Sequence, residues 1–165
     1  MKSIVVHILN CCGCWVPAKF TAFKSALYRV AGMRLGRGVN LGFGLYLGYY
    51  NVNIADRVWV GPWCKIYSTP RSAVVIHENV DVGPEVSFVT GSHEMGDSTR
   101  RAGSETSCGI VVGAGSWIGA RACILGGAEL GKGTIVAAGS VVLRGKYPAH
   151  VLLAGVPARV KKSLA

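Results

Sequence analysis

The stretch "TGSHEMGDSTRRAGSETSCG", residues 90–109, gathers one histidine, three acids and two adjacent arginines. At neutral pH an imidazole is suited to taking a proton from a poor nucleophile such as an alcohol, and a positioned base contributes about 10²–10⁴-fold. His93 is the candidate for that role. A base needs an orienter for its other ring nitrogen. Glu94, Asp97 and Glu105 are the local acids, and their spacing does not choose among them. Arg100 and Arg101 either clamp an acidic acceptor or pair with those acids. No serine or cysteine stands in a nucleophile motif, so no covalent intermediate is expected.

Other chemistries are poorly supplied. His7, Cys11, Cys12 and Cys14 lack the second ligand pair of a structural zinc site, and His7, His77, His93 and His150 are too widely spaced for a three-histidine catalytic one. No metal is expected. The six cysteines do not resemble a secreted disulfide framework and read as small hydrophobes in a reducing cytosol. The glycine runs tempt one towards a nucleotide loop, but the G-K-[ST] of a P-loop is absent.

The elements that must hold His93 are written in a repeat. In "VGAGSWIGARACILGGAELGKGTIVAAGSVVL" the residues Val112, Ile118, Ile124, Leu130, Val136 and Val142 fall six apart. Upstream the same beat gives Leu35, Leu41 and Leu47, then Ile54, Val60 and Ile66, then Ile76, Val82 and Phe88. Eight of these fifteen anchors are followed at once by glycine, which explains a glycine share about twice the usual. Six residues fit neither a helix nor an alternating strand. They do fit a solenoid in which each face is one short strand and one turn. Three faces close a coil of 18 residues, so fifteen anchors predict five coils, stacked about 4.8 Å apart by parallel pairing. The beat slips by one residue between Leu47 and Ile54 and by four between Ile66 and Ile76. At residues 94–111 an 18-residue segment is added, which a solenoid can accommodate only by extruding it as a loop.

This pattern resembles the hexapeptide-repeat acyltransferases over roughly residues 35–162, and "WIGARACILGGAELGKGTIVAAGSVVLRGKYPAHVLLAGVPARVKK" is very like the C-terminal signature of the maltose, galactoside and polysaccharide O-acetyltransferases. The resemblance implies a left-handed parallel β-helix, an exception to the right-handed crossover rule. It implies direct transfer of an acetyl group from acetyl-CoA to a sugar or glycan-precursor hydroxyl. "VTGSHE" resembles the segment bearing the family's catalytic histidine, which assigns His93 as the base. Asn51, in "GYYNVNI", matches an asparagine near the acetyl group and acceptor, with Asn53 competing under a shifted alignment. Trp117 matches an aromatic on the pantetheine arm, and Gly119, Ala120 and Ala138 match positions beside it. Arg144, Arg159 and Lys162 match or neighbour basic positions near the CoA phosphates, while Leu143 stands where a threonine is common. The resemblance also implies a homotrimer with shared active sites. Acceptor binding is then expected around Asn51, Glu94, Asp97, Arg100 and Arg101. A serine or streptogramin-type antibiotic acetyltransferase stands as the alternative within enzymes, and a non-catalytic scaffold outside them. The serine enzymes resemble a solenoid preceded by a large helical domain, whereas 34 residues precede Leu35 here.

Residues 1–34 read as a helical segment. Phe20, Phe23, Leu27 and Val30 recur at helical spacing. This face packs on the main body or a neighbouring subunit, or residues 1–33 lie on an anionic membrane as a basic amphipathic helix. The net charge is +10, and residues 1–55 contain six Lys or Arg and no acid. A second basic cluster, including Arg144, Arg159 and Lys162, suits a ligand with several phosphates. Nucleic acid is not expected, because no aromatic-basic module accompanies the charge. "SIVVHIL" is too short and too interrupted for a signal peptide, and no run of 18 apolar residues occurs, so a cytoplasmic protein is expected, at most touching the inner face of the membrane.

Overall fold

The structure, a computed structural model, describes residues 5–6, 8–10 and 20–164. The cysteine-rich stretch with His7, Cys11, Cys12 and Cys14 lies outside the described residues. From Arg34 onwards the chain is a triangular parallel β-solenoid. Six short strands form the first face, from Arg34–Leu35 to Gly145–Tyr147. Six parallel strands form the second, from Asn40–Leu41 to Val151–Gly155, and five the third, from Tyr46–Leu47 to Val141–Val142.

The register follows the beat of the sequence. In the uninterrupted coils Val112 pairs with Leu130, Ile118 with Val136 and Ile124 with Val142. Earlier coils absorb their extra residues and still align, Leu35 with Ile54, Ile54 with Ile76 and Ile76 with Val112. Every anchor after the half-buried Leu35 is buried, most of them completely. The solenoid nevertheless exceeds the expected five coils. After Val142 the beat shortens by one residue, and Tyr147 and Leu153 continue the first and second faces into a partial sixth coil. The chain then reverses, and Ala158–Ser163 pairs antiparallel with Val151–Gly155 to close the second face.

The glycines divide into two kinds. Those directly behind the anchors leave room for the next coil: a Cβ at Gly119 would lie 2.5 Å from the Ala138 amide nitrogen. The third residue after the first- and second-face anchors has left-handed backbone instead. Glycine fills that position at Gly115, Gly133 and Gly139, but Arg57, Trp63, Asn79, Glu85 and Arg121 hold it with φ of 56–61°. Glycine relieves the Cβ clash of that conformation, and the other residues bear it through contacts between coils. Arg121 Nε, for example, meets Glu85 Oε2 at 3.0 Å.

Helix α1, Thr21–Val30, covers the open end of the first coil mainly with its polar side, and of the expected apolar stripe Leu27 alone packs on the core. Phe20, Phe23 and Val30 are more than half exposed or at that limit, whereas Lys24, Ser25, Tyr28 and Ala31 are buried. The reason is electrostatic. The first coil has no preceding coil, so its rim presents carbonyls that need donors. Lys24 Nζ donates to the carbonyls of Leu41 at 2.9 Å and Gly42 at 2.8 Å, and Tyr28 OH donates to Leu45 O. On the third face the Asn10 amide bonds both the N–H and the carbonyl of Leu47, as a neighbouring strand would.

Candidate active site

All three extra segments follow third-face anchors, so they leave the same edge of the prism and stack. The largest is a β-hairpin rather than an open loop. Its strands are Gly91–Met95 and Ala102–Ser107, and Ile110 already belongs to the first face, so the excursion begins earlier and ends sooner than residues 94–111. His93 therefore sits within the outgoing strand, opposite Glu105.

The imidazole is oriented by the backbone. His93 Nδ1 lies 3.0 Å from the Gly103 carbonyl oxygen. A carbonyl only accepts, so Nδ1 carries the proton and Nε2 presents its lone pair, the tautomer a general base requires. None of the three expected carboxylates has this role. Glu94 forms no side-chain bond to the ring. Asp97 serves the hairpin turn, accepting from Thr99 N at 2.8 Å, Thr99 Oγ1 at 2.6 Å and Arg100 N at 3.2 Å. The Thr99 bonds, backed by the Arg100 amide, hold its carboxyl below the usual range. Glu105 shares the cavity with His93 without orienting it.

Two hollows flank the hairpin. The larger, about 840 Å³, brings His93 and Glu105 together with Arg71, Thr69 and Ser92. The smaller, about 330 Å³, lies towards the later coils and includes Cys108, Gly126, Leu143 and Arg144. Between them the hairpin root is stitched by hydroxyls. Ser72 Oγ donates to Thr90 Oγ1 at 2.7 Å, and Thr69 Oγ1 donates to Ser107 Oγ at 3.3 Å.

The other expected site residues are distributed over the molecule. Asn51 is half-buried behind the larger cavity and outside its lining, where its Nδ2 donates to the Thr69 carbonyl at 3.3 Å. Arg100 and Arg101 stand exposed at the hairpin tip, also outside the lining. Trp117 is exposed on the second face, and Gly119, Ala120 and Ala138 follow it around the edge between the second and third faces. Arg159 and Lys162 are on the closing antiparallel strand, apart from Arg144 in the smaller hollow. Sequence reasoning missed Arg71 and the turn that carries it. The available signal was phase: the four-residue slip between Ile66 and Ile76 follows a third-face anchor, as the hairpin does, so the two segments must be neighbours. Among the described residues no three His, Cys, Asp or Glu side chains form a group that could hold a metal ion.

Comparison with known proteins agrees with this architecture. Residues 109–144 match the family described as bacterial transferase hexapeptide (six repeats). The galactoside O-acetyltransferase of Lactococcus lactis subsp. lactis (strain IL1403) is 25% identical over 129 residues, 78% of this chain and 55% of that protein. Its namesake from Escherichia coli (strain K12) is 33% identical over 91 residues, 55% of this chain and 44% of that protein. This chain thus spans about half the length of the curated relatives it matches. Among solved structures, the hexapeptide-repeat-containing acetyltransferase VCA0836 from Vibrio cholerae O1 biovar eltor, complexed with acetyl coenzyme A, superposes with a TM-score of 0.86 at 24% identity, covering 99% of this chain and 87% of that one. A galactoside acetyltransferase in complex with coenzyme A gives 0.86 at 23%, covering 99% and 81%. Residues 109–144 thus carry the hexapeptide repeat of the bacterial transferases, on a fold that the whole chain shares with solved hexapeptide-repeat acetyltransferases.

Proposed function

We propose that this protein moves an acetyl group from acetyl-CoA to a hydroxyl of a saccharide or glycan precursor. The carrying observation is the His93–Gly103 bond, which leaves Nε2 free beside a cavity of about 840 Å³. His93 takes the acceptor hydroxyl proton as the new oxygen–carbon bond forms. The thioester carbon–sulfur bond then breaks, and His93 returns the proton to the departing thiolate, so both products leave neutral at sulfur and oxygen. Trp117 and the edge through Gly119, Ala120 and Ala138 offer an open wall for the pantetheine arm, and Arg144, Arg159 and Lys162 offer charge for the phosphates. Asn51 acts by supporting the acceptor side of the cavity. The relatives' names and bound molecules support this donor and this acceptor class.

The active unit in this reading is a homotrimer with shared sites. Its support is the set of large apolar side chains left open on the solenoid, Trp59, Tyr67, Trp117 and Leu143 among them. The outward stripe of α1 and the acid-free first 55 residues favour work in the cytoplasm at the inner membrane face, where lipid-linked sugars are displayed. No described helix is long and apolar enough to cross a membrane.

The test is His93→Ala, assayed by release of CoA thiol with a panel of saccharides, serine and a streptogramin as acceptors. Turnover should fall by about 10²–10⁴-fold, while calorimetry returns unchanged acetyl-CoA affinity. Full turnover in the variant would remove His93 from the mechanism. Activity confined to serine or the antibiotic would replace the saccharide.

A further inference from the structure

The four-residue insertion after Ile66 builds a turn whose polar groups are tied down. Thr69 and Ser72 exchange backbone hydrogen bonds, each N–H donating to the other's carbonyl at 3.3 Å, and their hydroxyls meet at 2.7 Å. Ser72 is anchored further by its bond to Thr90, Thr69 by Ser107 and, at its carbonyl, by Asn51. Pro70 fixes φ at the approach to the tip. What this scaffold presents is Arg71, exposed and lining the same cavity as His93. The described ion pairs are Arg37–Asp56, Arg121–Glu85 and Lys146–Glu129, so the Arg71 guanidinium is paired with no described carboxylate. That includes Glu105, the one acid of the cavity, which faces His93 across the hairpin.

The rigid turn fixes where the Arg71 side chain starts, and the planar fork of a guanidinium matches a carboxylate or a phosphate with two parallel hydrogen bonds. We propose that Arg71 selects the acceptor by an anionic group, a carboxylate or a phosphate carried on the molecule whose hydroxyl His93 deprotonates. This rests on reading the His93 cavity as the acceptor site. The insertion is then a recognition device, and Asn51 contributes by fixing the turn that aims Arg71.

The experiment compares a neutral hexoside, the matching hexuronate and the matching hexose phosphate on the full chain. Binding of each is first measured calorimetrically to His93→Ala without acetyl-CoA, which separates recognition from catalysis. One anionic compound should bind about 10- to 100-fold more tightly than the neutral one, the range of a charge-assisted pair. Whichever of the two does so identifies carboxylate or phosphate as the recognised group. Arg71→Gln should collapse that ratio towards unity, acting on KM and not on acetyl-CoA affinity, and Arg71→Lys should restore only part of it. Equal binding of all three compounds, or an Arg71→Gln variant that keeps the ratio, would overturn the proposal. Failure of His93 as the base would show separately, as undiminished turnover in His93→Ala beside an intact binding preference.

Discussion

Lys24 shows how one residue can serve a fold against its own hydration. Its ammonium is buried at the mouth of the solenoid, bonded to two carbonyls and to no carboxylate in the described structure. Burial lowers its pKa from the ordinary 10.5. The unfolded chain therefore binds more protons than the folded one at alkaline pH below that value, and the contribution of this group to stability rises as pH climbs through the window. Lys24→Met should remove that slope. It should also cost about 1–3 kcal/mol by leaving the rim carbonyls without a donor. Thermal melts from pH 7.5 to 10, wild type against variant, measure both effects. Parallel pH curves would show that Lys24 titrates as it does in the unfolded chain. His93 obeys a different logic: its ring is exposed and held by a single carbonyl, so its function depends on which nitrogen is free.

At the scale of elements, α1 and the hairpin show where periodicity informs and where it misleads. The apolar spacing of Phe20, Phe23, Leu27 and Val30 correctly implied a helix, yet the rim carbonyls attracted its polar face and left most of that stripe outward. An exposed apolar stripe on a segment free of acids suits an anionic bilayer: in the proposed contact the rings would enter the interface with Arg29 and Arg34 among the headgroups. A second copy meeting the same surface head-on would instead oppose like charges. Vesicles of phosphatidylglycerol should sediment the protein and vesicles of phosphatidylcholine should leave it in solution, with binding weakening as salt rises. Replacing Phe23 and Val30 with serine should abolish sedimentation without lowering Tm, because those side chains are outside the core. Co-sedimentation that survives the double substitution would exclude the stripe as the contact.

For the molecule as a whole, the repeat made the solenoid legible in advance. An aliphatic residue every sixth position can be buried together in few other ways, and each of the fifteen anchors aligned with its neighbours. The shortened step after Val142 hid the sixth coil, since Tyr147 looks like a break in an aliphatic series. The orienter of His93 was illegible for another reason: a backbone carbonyl has no letter in a sequence. What the assembled prism adds is distance. The Trp117–Ala138 edge lies between the second and third faces, while the hairpin leaves the edge between the third and first. A whole face separates the proposed donor wall from His93 within one chain. In the proposed trimer one copy's wall would be set against the next copy's hairpin, which would remove the separation. The consequence is complementation. His93→Ala and a donor-wall variant, Ala138→Trp, should each be nearly inactive alone, the second because an indole would fill the path of the pantetheine arm. Unfolded and refolded together, they should form mixed trimers in which some clefts combine an intact wall with an intact histidine, and thiol release should recover well above the sum of the separate proteins. Recovery no greater than that sum, with mixed trimers confirmed by native mass spectrometry, would mean that each chain completes its own site and that the arm crosses the third face to reach His93.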